Sequence, residues 1–210
     1  MVRGISVIRL GLVLCTGLVL GCYRDDIPEE QEVPDEYNSK ELEEQRARLP
    51  DAAENCYDDV VGIWVGQSLL SSSWHHFTLD IDWADDDEEV IEGVIYTQVW
   101  TGTEEEYEPP ECDQNSLRLY YTLEQPSEGS YEGGELTVAG QRKENEQLHC
   151  GTMGNYFVDT FTGTVYPGMN EFRVVNDDGF NPRSELLFRR IECDEKPAVF
   201  RTWPLSWVFD

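Results

Sequence analysis

The chain predicts an antiparallel all-β domain, an eight-stranded up-and-down barrel or sandwich, carried behind an acidic flexible tether. Three observations lead there. Apolar residues alternate with polar ones in eight short runs between residues 60 and 192, turn residues separate the runs, and no helix-period segment stands between them. Strands in succession without crossover helices pair antiparallel and close as a sandwich or barrel.

In chain order, the N-terminus comes first. Arg3 and Arg9 are the only charges before Cys22, and Leu10 to Leu20 is an eleven-residue uncharged run. A bilayer span needs about 20 apolar residues, so this run is too short. A basic start, a short apolar segment and a small residue before the cut read as a secretory signal over residues 1–21. "VLGC", Val19 to Cys22, resembles a bacterial lipobox, in which the cysteine is acylated, for example with palmitate, and becomes the mature N-terminus. The resemblance implies lipid attachment at Cys22 and, with Tyr23 in place of Asp after it, the outer membrane, facing the periplasm or the cell surface. Several acyl chains hold a protein stably where one is marginal.

Residues 22–55 read as the tether. Residues 23–55 hold twelve acids and four bases, with Pro28, Pro34 and Pro50 and few large apolar residues. Such a composition cannot offset the entropy of ordering. Within it "NSKELEEQRARL" suits a short helix, with Asn38 and Glu41 as a capping box and Glu44 and Arg48 as an (i, i+4) pair. Its apolar stripe is only Leu42 and Leu49, so the helix needs a surface to rest on.

Residues 56–193 form the β domain. "HFTLDIDW" puts Phe77, Leu79, Ile81 and Trp83 on one face, with His76, Thr78, Asp80 and Asp82 on the other. "VVGIWVGQ", "VIEGVIYTQVW", "SLRLYYTLEQ", "GELTVAGQR", "YFVDTFTGTVY", "EFRVVN" and "SELLFRRIE" supply the other strands, punctuated by turns at "EGSYEGG" and Asp178-Gly179. Residues 194–210 are an extension carrying Phe200, Trp203, Trp207 and Phe209, a rim cover or an aromatic patch for a partner.

Charge and cysteines bound the function. The formal charge is −28, and −30 once residues 1–21 leave with Arg3 and Arg9. So acidic a surface repels nucleic acid and anionic head groups. Cys56, Cys112, Cys150 and Cys193 remain beyond the signal and the lipid site, an even set in an oxidising compartment. Two disulfides in one of three pairings are the reading; widely spaced cysteines with no CxxC argue against zinc.

"GIWVG", Gly62 to Gly66, and "FRR", Phe188 to Arg190, resemble the first and last strand motifs of lipocalin-like barrels. The resemblance implies a structural role for Trp64 as the plug of one barrel end and for Arg189 or Arg190 as its cover. The middle motif of that family is absent from "TGTEEEYEPPECD", which reads as a polar loop at the rim. In an eight-strand meander the start of the first strand and the end of the last share one rim. The loops after strands three and five share the other, which pairs Cys56 with Cys193 and Cys112 with Cys150.

Sites for chemistry are few. "DIDWADDDEE" fails an EF-hand at Ala84, Asp85 and Ile91, leaving a solvated hairpin tip, or an irregular calcium site. His75, His76 and His149 are the only histidines, and no GxSxG elbow occurs, so no catalytic residue, metal or cofactor is assigned and the reading is of a non-enzyme. Trp83, Tyr96, Trp100 and Tyr121 are candidate wall residues of a cup for a small apolar ligand. Against that stands an interaction or structural protein with a filled core, engaging an envelope partner; a hydrolase is the third class. Enough large apolar residues lie on the strands to fill their own interior, which favours the second.

Overall fold

Gly133 and Gly134 both have positive φ, 61° and 85°, and between them they turn the chain from β4 (Tyr120–Glu132) into β5 (Glu135–Gly140). Two-residue turns of this handedness match the twist of paired strands and favour glycine. The strand before the turn therefore runs straight through "EGSYE", the first part of a stretch the sequence reads as a turn. The computed structural model describes residues 40–56, 58–70, 72–84, 89–112, 118–152, 154–179 and 184–193. Cys22, Asn38 and the 194–210 extension lie outside them, as does part of the acidic run 80–89.

The strands before that turn are β1 (Gly62–Leu70), β2 (Ser73–Trp83) and β3 (Val90–Thr101). Those after β5 are β6 (Glu144–Cys150), β7 (Thr160–Tyr166), β8 (Glu171–Asn176) and β9 (Ser184–Glu192). Every pairing is antiparallel, and the chain β1-β2-β3-β4-β5-β7-β8-β9 returns to β1 as a closed eight-strand barrel. The ninth strand, β6, has no counterpart among the eight sequence runs. It continues the line of β5 along β4 after a break at residues 141–143: β4 pairs with β5 over Ser127–Glu132 and with β6 over Tyr120–Glu124. "ENEQLHC" is mostly exposed and lacks apolar alternation, which is why period two does not reveal it.

Register fixes which side chains face in. Trp64, Phe77, Leu79, Ile81, Ile91, Ile95, Leu136, Val138, Phe161, Val165, Phe172, Val174, Leu186 and Phe188 form one buried cluster inside the barrel. Phe77 and Phe161 lie 5.0 Å apart between ring centroids, as do Phe161 and Phe188, both edge to face. Such pairs add to the burial of the rings themselves, about 0.5–1.5 kcal/mol each. Gly129 also faces in. A Cβ there would collide with the carbonyl of Thr137, so only glycine allows β4 and β5 to approach this closely.

Outside the barrel, α1 (Lys40–Arg48) lies across β1 and β9. Leu42 and Leu49 are buried against Val65, Tyr166 and Leu187, the surface that the two-residue apolar stripe requires. Arg46 makes a two-pronged contact with Glu171 at 2.9–3.0 Å, and Arg189 reaches the same carboxylate at 3.0 Å. Arg189 also donates to the carbonyls of Arg46 and Pro50, meeting the negative end of the helix. Residues 40–55, within the stretch that composition assigns to the tether, are thus packed on the barrel around a salt-bridged, buried glutamate. Cys56 is bonded to Cys193 and Cys112 to Cys150, with Cα–Cα separations of 5.4 and 5.5 Å. This pairing places the domain in an oxidising, extracytoplasmic environment.

Candidate functional site: the two barrel ends and the outer wall

At the end where β1 begins, Trp64 is fully buried, and its ring nitrogen donates to the carbonyl of Val60 at 2.8 Å. The guanidinium of Arg190 lies 4.9 Å from the centre of the Trp64 ring. It donates to the carbonyls of Asp58 and Val61 at 2.7 and 3.1 Å and to Oδ1 of Asn170 at 2.6–2.9 Å. A guanidinium buried to 1 % exposure needs this many acceptors, since an unpaired one would cost several kcal/mol. Asp58 ties the rim together. One carboxylate oxygen accepts the main-chain N–H groups of Val60 and Val61, and the other accepts from the Trp83 indole at 2.8 Å. Tyr131 lies beside Trp83, and burial together with Asp59 pushes its hydroxyl up to about 12.

Polar side chains plug the opposite end. Asp159 is 1 % exposed and accepts from Gln125 Nε2 at 2.7 Å, Tyr156 Oη at 2.7 Å and Asn176 Nδ2 at 2.9 Å. Gln125 donates to Thr97 as well and accepts the N–H of Asp159, so it joins β3, β4 and β7. Burial pushes the Asp159 carboxyl up to about 6, even though its three donors pull the other way. Burial by itself would carry it further. Tyr156 is raised well above the usual phenol range by burial and by Asp159. His75 faces inward beside Tyr156 and Phe77, with ring centroids 6.1 and 6.0 Å away, and burial lowers it to about 4 against the opposing pull of Asp178.

The four candidate ligand residues fall in three places. Trp83 and Tyr121 face inward but at opposite ends; Tyr121 packs with Val99, Leu123 and Tyr156 near the polar plug. Tyr96 and Trp100 have the opposite parity and lie on the outer wall. There Trp100 stacks on Trp74 at 6.3 Å, and both are buried beneath the β3–β4 loop. Their ring nitrogens donate to carbonyls of that loop, Trp74 to Thr103 and Trp100 to Glu106. "TGTEEEYEPPECD" therefore begins as a cover over two tryptophans of the wall. Of the two arginines assigned to Trp64, Arg190 covers the ring and Arg189 holds α1.

The plug residues Gln125, Tyr156, Asp159 and Asn176 were not singled out from sequence. A signal existed: Asp159 shares the parity of Phe161 and Val165, and Gln125 that of Tyr121 and Leu123, so each is a polar residue at an inward position. Among the described residues no group of three His, Cys, Asp or Glu is placed to hold a metal ion, and no helix is long and apolar enough to cross a membrane. Comparison with protein-family models, curated proteins and solved structures returns no match.

Proposed function

We propose that the protein is a lipid-anchored lipoprotein of the outer membrane whose barrel acts from its outer surface, engaging another envelope protein or serving as a structural component. The observation that carries this reading is the filled interior. Trp64, Phe77, Phe161, Phe172 and Phe188 are all at 0 % exposure. The Trp64–Arg190 pair closes one end and the Asp159–Gln125–Tyr156 group the other. A carrier of small apolar molecules keeps a cavity of about 300 Å³ or more for its cargo. The anchor rests on "VLGC" at residues 19–22, and the disulfides agree with export. Growth with an alkynyl palmitate analogue should label the protein. Replacing Cys22 by Ser should abolish the label and release the protein from the membrane fraction; a Cys22→Ser protein that keeps the label overturns the anchor.

Lipocalin-like carriage is the second reading, favoured by one observation: a closed barrel with a tryptophan under an arginine at one end is what "GIWVG" and "FRR" imply for that family. It requires the polar plug to yield to a ligand. Native mass spectrometry of the protein purified from its own host separates the two. A bare mass supports the surface-acting reading, and an apolar adduct released on unfolding overturns it.

A further inference from the structure

The two strands that close the barrel part company beyond Gly66. Their pairing covers Ile63–Gly66 and Phe188–Glu192 and stops there, although β1 continues to Leu70 and β9 begins at Ser184. In an antiparallel ladder each residue turns its N–H and C=O to the same neighbour, and the next residue turns to the other side. Leu70 pairs with Ser73 at the end of the β1–β2 ladder, and a closing pair with two residues between its members bonds to each other, so Gln67 and Leu69 face β9. On the other bank, Arg190 N–H donates to Asn170 on the β8 side, so Glu185 and Leu187 face β1. The Leu187 N–H is met by the side chain of Gln45 on α1, at 2.9 Å, in place of a strand. The main-chain groups of Gln67, Leu69 and Glu185 thus look into the gap from opposite banks, with no ladder partner in it among the described residues.

This gap is a groove of about 520 Å³. Its surroundings favour a hydrogen-bond donor with positive charge. Glu44, Glu104 and Glu185 line it, and Arg48, the single base among its described lining residues, lies over the Trp74 ring at 5.4 Å. Glu185 also pairs with Arg173 at 2.7 Å. Gln67, which is 8 % exposed, lines the groove too; its amide nitrogen donates to Tyr107, while its Oε1 is buried without a hydrogen-bond partner. At roughly 3.3 Å per residue, the four-residue bank from Gln67 to Leu70 matches an extended stretch of about the same number of residues.

We infer that the gap between β1 and β9 is a docking site for an extended, lysine- or arginine-bearing segment of a partner protein, which adds as a strand. The inference rests on the surface-acting reading above and supplies its site. Main-chain bonds to Leu69 and Glu185 hold the segment, displacing the Gln45 placeholder, and the rim carboxylates select its charge. The acidity of the whole chain steers basic partners toward it.

The test titrates the full chain with the capped peptide Lys-Thr-Val-Thr-Lys while amide exchange is followed at Leu69 and Glu185. Binding should slow exchange at both amides, and the Glu-Thr-Val-Thr-Glu peptide should not bind. N-methylation at alternate peptide nitrogens, which leaves the protein untouched, should weaken binding by about tenfold or more, because several hydrogen bonds are lost together. Leu69→Pro, which removes an N–H that β2 does not use, should do the same. Absence of binding at millimolar lysine peptide overturns the inference. So does an N-methylated peptide that binds as well as its parent, which would mean charge attraction only. Amides at Leu69 and Glu185 already protected without peptide overturn it too, since another segment of this chain would then fill the gap. An apolar adduct inside the barrel would overturn the surface-acting reading while leaving these peptide results as they are.

Discussion

Asp159 and His76, both buried, and His75, half-buried, are ionisable groups that pull the pH dependence of stability in opposite directions. The Asp159 carboxyl sits at about 6 in the fold against an ordinary 3.8, so its contribution is full below 3.8 and is lost as pH rises through 6. The two histidines are lowered by burial from 6.5 to about 4, so their contributions are full above 6.5 and are lost as pH falls toward 4. Within that window the unfolded chain binds two protons on the histidines and the fold keeps one on Asp159. Stability from these three groups therefore rises with pH, with a slope of about 1.4 kcal/mol per pH unit for the net single proton. Asp159→Asn removes the opposing group and should roughly double that slope. Chemical denaturation of both proteins between pH 4.5 and 6 checks it, and an unchanged slope would mean that Asp159 stays ionised in the fold. None of this was legible in "YFVDTFTGTVY" beyond one polar residue at an inward position, because the shift depends on what the rest of the barrel removes from water around it.

Among elements, α1 and β6 mark the two limits of reading a sequence by period. The helix was legible from its charge pairs, and its need for support from having only Leu42 and Leu49. Which surface supports it was not, because Glu171 and Arg189, more than 120 residues away, complete the contact. Leu42 is 2 % exposed, and Leu42→Ala should weaken docking by about 2–4 kcal/mol. Limited trypsin digestion should then cut after Arg46 and Arg48 sooner than in the parent, while the melting of the barrel changes little. Equal cleavage rates would show that Arg46 and Glu171 hold the helix unaided. The break at residues 141–143 that separates β6 from β5 escapes any pattern, since β6 meets water rather than the core.

For the whole molecule, closure and cross-linking act together. The Cys56–Cys193 bond spans 137 residues and Cys112–Cys150 spans 38. Chain entropy alone predicts that removing the longer link costs about 1 kcal/mol more than removing the shorter one. Double alanine variants of each pair, unfolded in urea, test this; a larger loss from the 112–150 pair would point to strain released at one bond or residual structure in the unfolded chain. The pairing became legible only once a meander was assumed, since four cysteines alone leave three choices open. By itself the sequence determined the all-β class, eight of the nine strands among the described residues and the inward face of "HFTLDIDW", because a period of two records burial residue by residue. Only the tertiary structure decided the polar plug around Asp159, the placement of Trp100 and Tyr96 on the outer wall, the division of labour between Arg189 and Arg190, and the gap between β1 and β9. Each of these depends on which strand stops pairing where, and that is settled between segments distant in sequence, by closure of the barrel.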